Sequence, residues 1–407
     1  MVKSSDLWPL SAKTNEIHGG GLVTDKFVRP RLVRVVAEPL GTYENGAKIF
    51  SGEKKAHAYS RISNETVENL EKRMCILEGS NAALAAASGM AAIDVLYRFL
   101  TKCGDHIISS PKVYGGVDNL FRVIKPRDGV EVSFVKDPHD VNEWERLIRP
   151  NTKAFHIENP SNPLIDVFDI RPLAQLAHSA GRDIQVVVDH TLATHVLYQP
   201  FLWGADWIGQ SITKYIGDGE EVAGIIHGKD QKIIDQMRMM PFRNTGACLS
   251  PDNAHILLYH IESISSRMKE HCRNAELMAE FLSKSPLVDK VYYPTLGPLA
   301  PLNRQIMRKG FGGMLSFDLK GDESNVGRFM DHLKLFDHAA NIGEARSLVI
   351  GPWLETHGCM EPNDRLAAGI HPTTVRLALG REEFADLRED LLRNGFSKVK
   401  VKKSQRP

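Results

Sequence analysis

The spacing of apolar residues changes character along the chain. From Thr66, Val67, Leu70, Met74 and Leu77 recur at three- and four-residue intervals with charged residues between them, which predicts a helix that Gly79 ends. A second helix is expected over 89–100. Beyond it the apolar runs shorten and become rich in branched residues, at 105–109, 131–135, 154–158, 185–189 and 207–210, with helical segments between them, notably 171–180. Strands alternating with helices imply a parallel sheet covered on both faces. At Leu249-Ser250-Pro251-Asp252 a capping serine and a proline open one long helix that runs through Met268, Ala275 and Leu282. A strand of a second sheet is expected at 313–319 and a late helix at 382–393. Residues up to about 60 show neither period, contain Gly19-Gly20-Gly21, Pro30 and Pro39, and read as an extended arm. The expected organisation is therefore an arm (1–60), a large α/β domain (61–250) and a smaller C-terminal α/β domain (251–407).

Composition narrows the class. A chain of 407 residues suits a large domain plus a smaller one. Its 51 basic and 50 acidic residues nearly cancel, so no global field points to nucleic acid or membrane, and a small molecule is the expected ligand. Five scattered cysteines (Cys75, Cys103, Cys248, Cys272, Cys359) without a CxxC pair fit a reducing compartment and argue against a disulfide framework or a zinc site. Met1-Val2-Lys3-Ser4-Ser5-Asp6 has no apolar leader core, and the most apolar window, 82–100, is interrupted by Ser88, Gly89, Asp94 and Arg98. A soluble, cytoplasmic protein is expected. The basic end Lys398-Val399-Lys400-Val401-Lys402-Lys403 reads as a solvated tail.

The candidate chemistry begins with an acid and a lysine. Asp189 ends the run Val186-Val187-Val188, and Lys214 closes a second run through Ser211-Ile212-Thr213. An acid and a lysine at one sheet edge are what pyridoxal phosphate (PLP) requires: the lysine carries it as a Schiff base and the acid keeps its ring nitrogen protonated. Two such residues also end strands on any surface, so the neighbours matter. Gly89 and Met90 open a helix whose amides and dipole favour phosphate, and neither GxGxxG nor a Walker A loop is present. Tyr59 and Arg61 precede the first long helix, where an arginine fits either solvent or a phosphate. Tyr114-Gly115-Gly116 combines a ring with glycines that let backbone approach something flat. Glu158-Asn159-Pro160-Ser161-Asn162-Pro163 is a rigid loop that presents Asn162. Arg376 lies inside the apolar run Val375-Arg376-Leu377-Ala378-Leu379, where a substrate carboxylate is one possible partner. His190 and His195 have no metal-ligand spacing, and there is no GxSxG elbow.

In this order the motifs resemble the Cys/Met-metabolism PLP enzymes, a group that includes cystathionine γ-synthase, cystathionine lyases, O-acylhomoserine sulfhydrylases and methionine γ-lyase. The resemblance runs from Phe50-Ser51-Gly52-Glu53 to Val375-Arg376-Leu377. It leans toward methionine γ-lyase and the sulfhydrylases through Tyr59-Ser60-Arg61-Ile62-Ser63-Asn64, Thr245-Gly246-Ala247 and Arg267-Met268.

The resemblance implies the type I fold of PLP-dependent transferases: a large domain with a mostly parallel seven-stranded sheet flanked by helices, and a smaller C-terminal α+β domain. It implies Lys214 as the Schiff-base lysine and Asp189 as the partner of the ring nitrogen. Gly89, Met90, Ser211 and Thr213 become phosphate binders, and Tyr59 and Arg61 a phosphate clamp lent by a neighbouring subunit in a homotetramer built as a dimer of dimers. Tyr114 becomes the stacked ring and acid or base. Asn162, Arg376 and Asn341 become contacts to cofactor hydroxyl and substrate, Asn341 standing where the family usually has serine.

The chain departs from the family at Asn64-Glu65-Thr66, Asp189-His190-Thr191, Ala193-Thr194-His195, Gly217-Asp218-Gly219-Glu220-Glu221 and Arg346-Ser347-Leu348. Gly116 stands where methionine γ-lyases carry a cysteine, which argues against methionine as the natural substrate. The acids Asp218, Glu220 and Glu221 suit either solvent or a cationic γ-substituent. The implied activity is γ-elimination on a four-carbon L-amino acid. γ-Replacement is the alternative; a β-lyase and an inactive binding subunit rank below both.

Overall fold

A computed structural model of the chain describes residues 10–20, 30–181, 183–358 and 360–400. The start of the chain at 1–6, Gly21, Cys359 and the tail residues 401–403 considered above lie outside them. The described residues fall into two compact units, one within 1–102 and 206–264 and the other within 103–205 and 265–407.

The first unit is built on the helix Glu65–Glu78. Asn64 caps it by accepting from the amides of Thr66 (2.9 Å) and Val67 (3.4 Å), and Gly79 ends it at φ 70°, where a side chain would be strained. Its buried face carries Val67, Leu70, Met74 and Leu77, the four positions the spacing marked. The strand Ala82–Ala86 follows, buried along its length and paired antiparallel with Gly224–Gly228. That strand also pairs antiparallel with Trp207–Gln210. The 82–100 window is thus a strand and then the helix Gly89–Leu100. The arm is not extended throughout. Ser11 and Thr42 cap short helices, Ala12–His18 and Tyr43–Phe50, each accepting from an amide three residues on.

The second unit holds four parallel strands in the order Gln185–Asp189, Thr152–Glu158, His106–Ser109, Glu131–Phe134. Phe155, Ile157, Val186 and Val188 project from the first two of these strands into a core completed by Trp144, Phe168 and Leu173. Hydrophobic residues on successive parallel strands leave their C-terminal ends, at Glu158 and Asp189, as the polar edge. A second, five-stranded sheet follows, ordered Asp337–His338, Leu348–Ile350, Thr374–Ala378, Met314–Leu319, Val288–Tyr292. The long helix expected from residue 250 is two helices, Pro251–Ile261 and Ile264–Ser283, because the chain leaves α geometry at Glu262-Ser263 while the apolar spacing continues. The late helix is Phe384–Asp390, which widens into a π turn through Gly395. No described helix is long and apolar enough to cross a membrane.

Candidate active site

In the first unit the lysine sits in a turn closed by a hydroxyl. Thr213 Oγ1 donates to Ala223 O at 3.1 Å and accepts from Ala223 N at 2.9 Å, tying together the ends of the segment that carries Lys214. A hydroxyl has one proton, and here Ala223 takes it. Thr213, implied as a phosphate contact, thus also holds the lysine turn.

Beside that turn the helix Gly89–Leu100 begins. Ser88 Oγ accepts from Ala91 N at 3.1 Å, and the amides of Gly89 and Met90 head the helix with no intrahelical acceptor. A Cβ on Gly89 would stand 2.5 Å from Ser211 Cβ, so only glycine lets the helix start lie against Ser211. Gly224 is equally constrained, its missing Cβ falling 2.1 Å from Ser88 O. Two close backbone approaches thus bring helix amides and the Ser211 turn together, a cradle that suits the phosphate of PLP three residues before Lys214.

Elsewhere in this unit, the guanidinium of Arg61 lies 5.4 Å from the centroid of the Tyr59 ring and donates to Arg243 O. Tyr59 is 39% exposed, so this pair faces outward from its own chain. Glu220 in the acidic run pairs with His260 at 2.6 Å.

In the second unit Asp189 is buried. Its Oδ1 accepts from Thr191 Oγ1 at 2.6 Å and from Thr191 N at 3.0 Å. Burial raises its pKa above the usual carboxylate range, and the Thr191 hydroxyl, the Thr191 amide and His190 pull it back. An anion so held suits a protonated ring nitrogen, and the donor set fits PLP. His190 is fully buried with its ring 5.8 Å from that of Tyr198.

The neighbouring strand ends at Glu158, which pairs in register with Asp189. Glu158 was not among the residues the sequence singled out for chemistry, yet it organises this edge. Its Oε2 accepts from Tyr114 N at 2.6 Å and its Oε1 from Asn162 N at 2.8 Å. It is 2% exposed, and burial, then the Asp189 charge, push its pKa well above the carboxylate range. Burial pushes both acids up, and in Glu158 the neighbouring Asp189 charge adds to it. The sequence signal was available: an acid ending an apolar strand, the same signature that marked Asp189.

Asn162 Oδ1 accepts from Arg376 Nη1 at 3.1 Å, and Asn341 O accepts from Arg376 Nη2 at 3.1 Å. Arg376 is buried on the strand Thr374–Ala378. Asn341 thus acts through its backbone, while its side chain donates to Glu344. The loop after Glu158 contains the cis peptides Asn159–Pro160 and Asn162–Pro163 and holds Ile165 at φ 60°. A branched residue there costs about 1–3 kcal/mol, offset by bonds such as Ile165 N to Ser161 O (2.9 Å) and Lys112 Nζ to Asp166 (2.6 Å). Tyr114 is 43% exposed. The glycine after it is needed for packing as well, since a Cβ on Gly115 would stand 2.5 Å from Thr356 O.

Residues 24–396 match the model of the Cys/Met metabolism PLP-dependent enzyme family. An O-succinylhomoserine sulfhydrylase of Pseudomonas aeruginosa is 37% identical, covering 86% of this chain and 87% of its own length. An L-methionine γ-lyase of Pseudomonas putida is 38% identical over 92% of each chain. Among solved structures, a Campylobacter jejuni protein described as an O-acetylhomoserine (thiol)-lyase superposes with a TM-score of 0.90 at 30% identity, covering 94% of this chain and 99% of its own. That structure contains N'-pyridoxyl-lysine-5'-monophosphate.

Proposed function

Because the chain belongs to the Cys/Met metabolism PLP-dependent enzyme family, with the type I fold and PLP as its cofactor, we propose that it catalyses γ-elimination on a four-carbon L-amino acid, giving 2-oxobutanoate and ammonia. Chemistry at Cγ, by elimination or replacement, is common to the named relatives. The observation that supports an amino-acid substrate is the Arg376–Asn162 pair. A buried guanidinium held at 3.1 Å by an asparagine side chain suits an α-carboxylate, as an amino-acid substrate requires.

Bound PLP supplies an electron sink that lets Cα and then Cβ give up protons. The remaining work falls to this chain. Lys214 would hold the cofactor, and its free amine would take up the proton leaving Cα. Asp189 holds the ring N–H. The Gly89 and Met90 amides with Ser211 and Thr213 would bind phosphate, and Thr213 also positions the lysine turn. Arg376 and Asn162 hold the substrate carboxylate against the Asn341 carbonyl. Tyr114 protonates the leaving group. Tyr59 and Arg61 reach the phosphate of a neighbouring subunit in a homotetramer, supported by the outward-facing apolar surface at Val36, Tyr43 and Met240 (62%, 96% and 66% exposed). The cysteine pattern supports a cytoplasmic location.

γ-Replacement is the second reading, favoured by Gly116 where methionine γ-lyases carry cysteine. Incubation with methionine, O-acetyl- and O-succinylhomoserine, cystathionine and canavanine, with and without added thiols or amines, separates the two by mass spectrometry. 2-Oxobutanoate formed regardless of nucleophile supports elimination; a new amino acid without 2-oxobutanoate overturns it. Lys214→Ala is expected to lose the borohydride-reducible visible band and to slow turnover by roughly 10³-fold or more.

A further inference from the structure

Tyr114, Asn162 and Arg376 come from three separate stretches of sequence, and the proposed function gives Tyr114 one duty and the Asn162–Arg376 pair another. In the second unit one side chain joins them. Glu158 reaches from the end of the strand Thr152–Glu158 with one oxygen on the amide of Tyr114 (2.6 Å) and the other on the amide of Asn162 (2.8 Å). Asn162 in turn accepts from Arg376 (3.1 Å), and Arg376 donates to Asn341 O (3.1 Å). The carboxylate is 2% exposed and sits on a strand whose register against 185–189 is fixed by five residue pairs ending at Glu158 and Asp189.

From this geometry, and resting on the proposed PLP-dependent function, we infer that Glu158 is the positioning residue of the site. It touches neither substrate nor cofactor; it sets the distance between the residue that acts on the leaving group and the pair that holds the α-carboxylate. Two acceptors on one rigid carboxylate are needed because both donors are backbone amides, which cannot rotate to find another partner. A glutamine offers one acceptor and turns an NH₂ toward the other amide, so one of the two residues must move. An aspartate keeps both oxygens but is one methylene shorter, so it restores the charge with a poorer reach. Displacements of this size at residues remote from the bond being broken cost up to about 10²-fold in rate. Burial argues the same way. A carboxyl group at this depth, facing Asp189 and Arg376 and bound by the Tyr114 and Asn162 amides, is expensive to keep in the fold, and core packing alone would be met by an apolar residue.

The test uses the holoenzyme and L-2-aminobutanoate, a four-carbon amino acid with no leaving group, in D₂O. Exchange at Cα and Cβ is followed by NMR, alongside visible circular dichroism of the bound cofactor. Glu158→Gln is expected to keep the cofactor band at wild-type occupancy and to melt within a few degrees of wild type. Its maximal exchange rate per bound cofactor should fall at least tenfold, with a changed visible dichroism. Glu158→Asp should recover part of the rate, and if the glutamine variant does not fold, the aspartate variant answers to the same tenfold criterion. Exchange per bound cofactor within threefold of wild type, with unchanged dichroism, overturns the inference, because a structural role lowers the amount of holoenzyme and not its rate. A wild-type protein with neither band nor exchange overturns the cofactor reading, and this inference with it. A wild type with both, beside an unaffected variant, overturns the inference alone.

Discussion

Two glutamates, one in each unit, show what decides the charge and the use of a carboxylate in this protein. Glu68, on the helix Glu65–Glu78, is bound by His57 (2.9 Å) and Lys72 (2.7 Å) and is 40% exposed. These partners, the His57 hydrogen bond first, hold its pKa down at about 2. Glu158 also accepts two hydrogen bonds, 2.6 and 2.8 Å long, yet its pKa moves up, because burial outweighs two neutral amides and Asp189 adds repulsion. Hydrogen-bond count does not separate the two sites. Solvent and the charge of the donors do. At the surface, the ionised form comes at little cost and does little. In the interior the same group is costly, and it persists where its geometry matters.

The sharpest way to break this comparison is to truncate both. Glu158→Ala leaves the amides of Tyr114 and Asn162 buried without their acceptor, at about 1–3 kcal/mol each. Relief of the buried charge offsets part of this, so a net loss of about 2–4 kcal/mol is expected by chemical denaturation. Glu68→Ala removes solvent-screened pairs and should cost less than about 1 kcal/mol. Equal losses would mean that burial is not what distinguishes the two sites.

A finer test concerns Asp189, buried like Glu158 but helped by a hydroxyl. Thr191→Val keeps the shape and deletes the 2.6 Å bond to Oδ1, leaving the amide of residue 191 and His190 to oppose burial. With burial then less opposed, the Asp189 pKa moves further up. The ionised form is the one assigned to the ring nitrogen, and it is lost as pH falls. The acid limb of the kcat/KM profile should therefore shift to higher pH, with roughly a tenfold loss on the acid side and little change in the alkaline range. A uniform loss at all pH values would place the effect in packing.

How much of this was legible in the sequence follows from the same physics. Val186-Val187-Val188 reads as a buried strand because branched side chains have few other places to go, and Asp189 stands out as the polar residue at its end. The strand Ala82–Ala86 did not read as one: alanine has no strand preference, and the run merged with the helix that follows. Lys214 was visible because its chemistry is carried by its own side chain. Glu158 was overlooked because its importance lies in amides 44 residues before it and four after it, and a backbone donor has no letter in a sequence. The break at Glu262-Ser263 was hidden for a related reason, since the apolar spacing that signals a helix continues across it.

The smallest expected effect sharpens the comparison from the exposed side. His57 is held above its ordinary pKa of 6.5, chiefly by its hydrogen bond to Glu68, so its contribution to stability is complete below 6.5 and is lost as pH rises through the raised value. Glu68 is held at about 2 against an ordinary 4.5, so its contribution is present above 4.5 and lost as pH falls toward 2. The two windows overlap between about 4.5 and 6.5, and only there are both groups charged in the folded protein with the pair's full benefit. His57→Gln should therefore destabilise most in that window, by less than about 1 kcal/mol given the exposure of Glu68, with the difference fading on either side. His57 Nδ1 also lies 3.2 Å from Ser63 Oγ, and any part of the loss that does not vary with pH belongs to that contact. A difference flat across the whole range would assign the pair no electrostatic role. A difference well above 1 kcal/mol in the window would show that an exposed pair can match a buried one, and the contrast with Glu158 would fail.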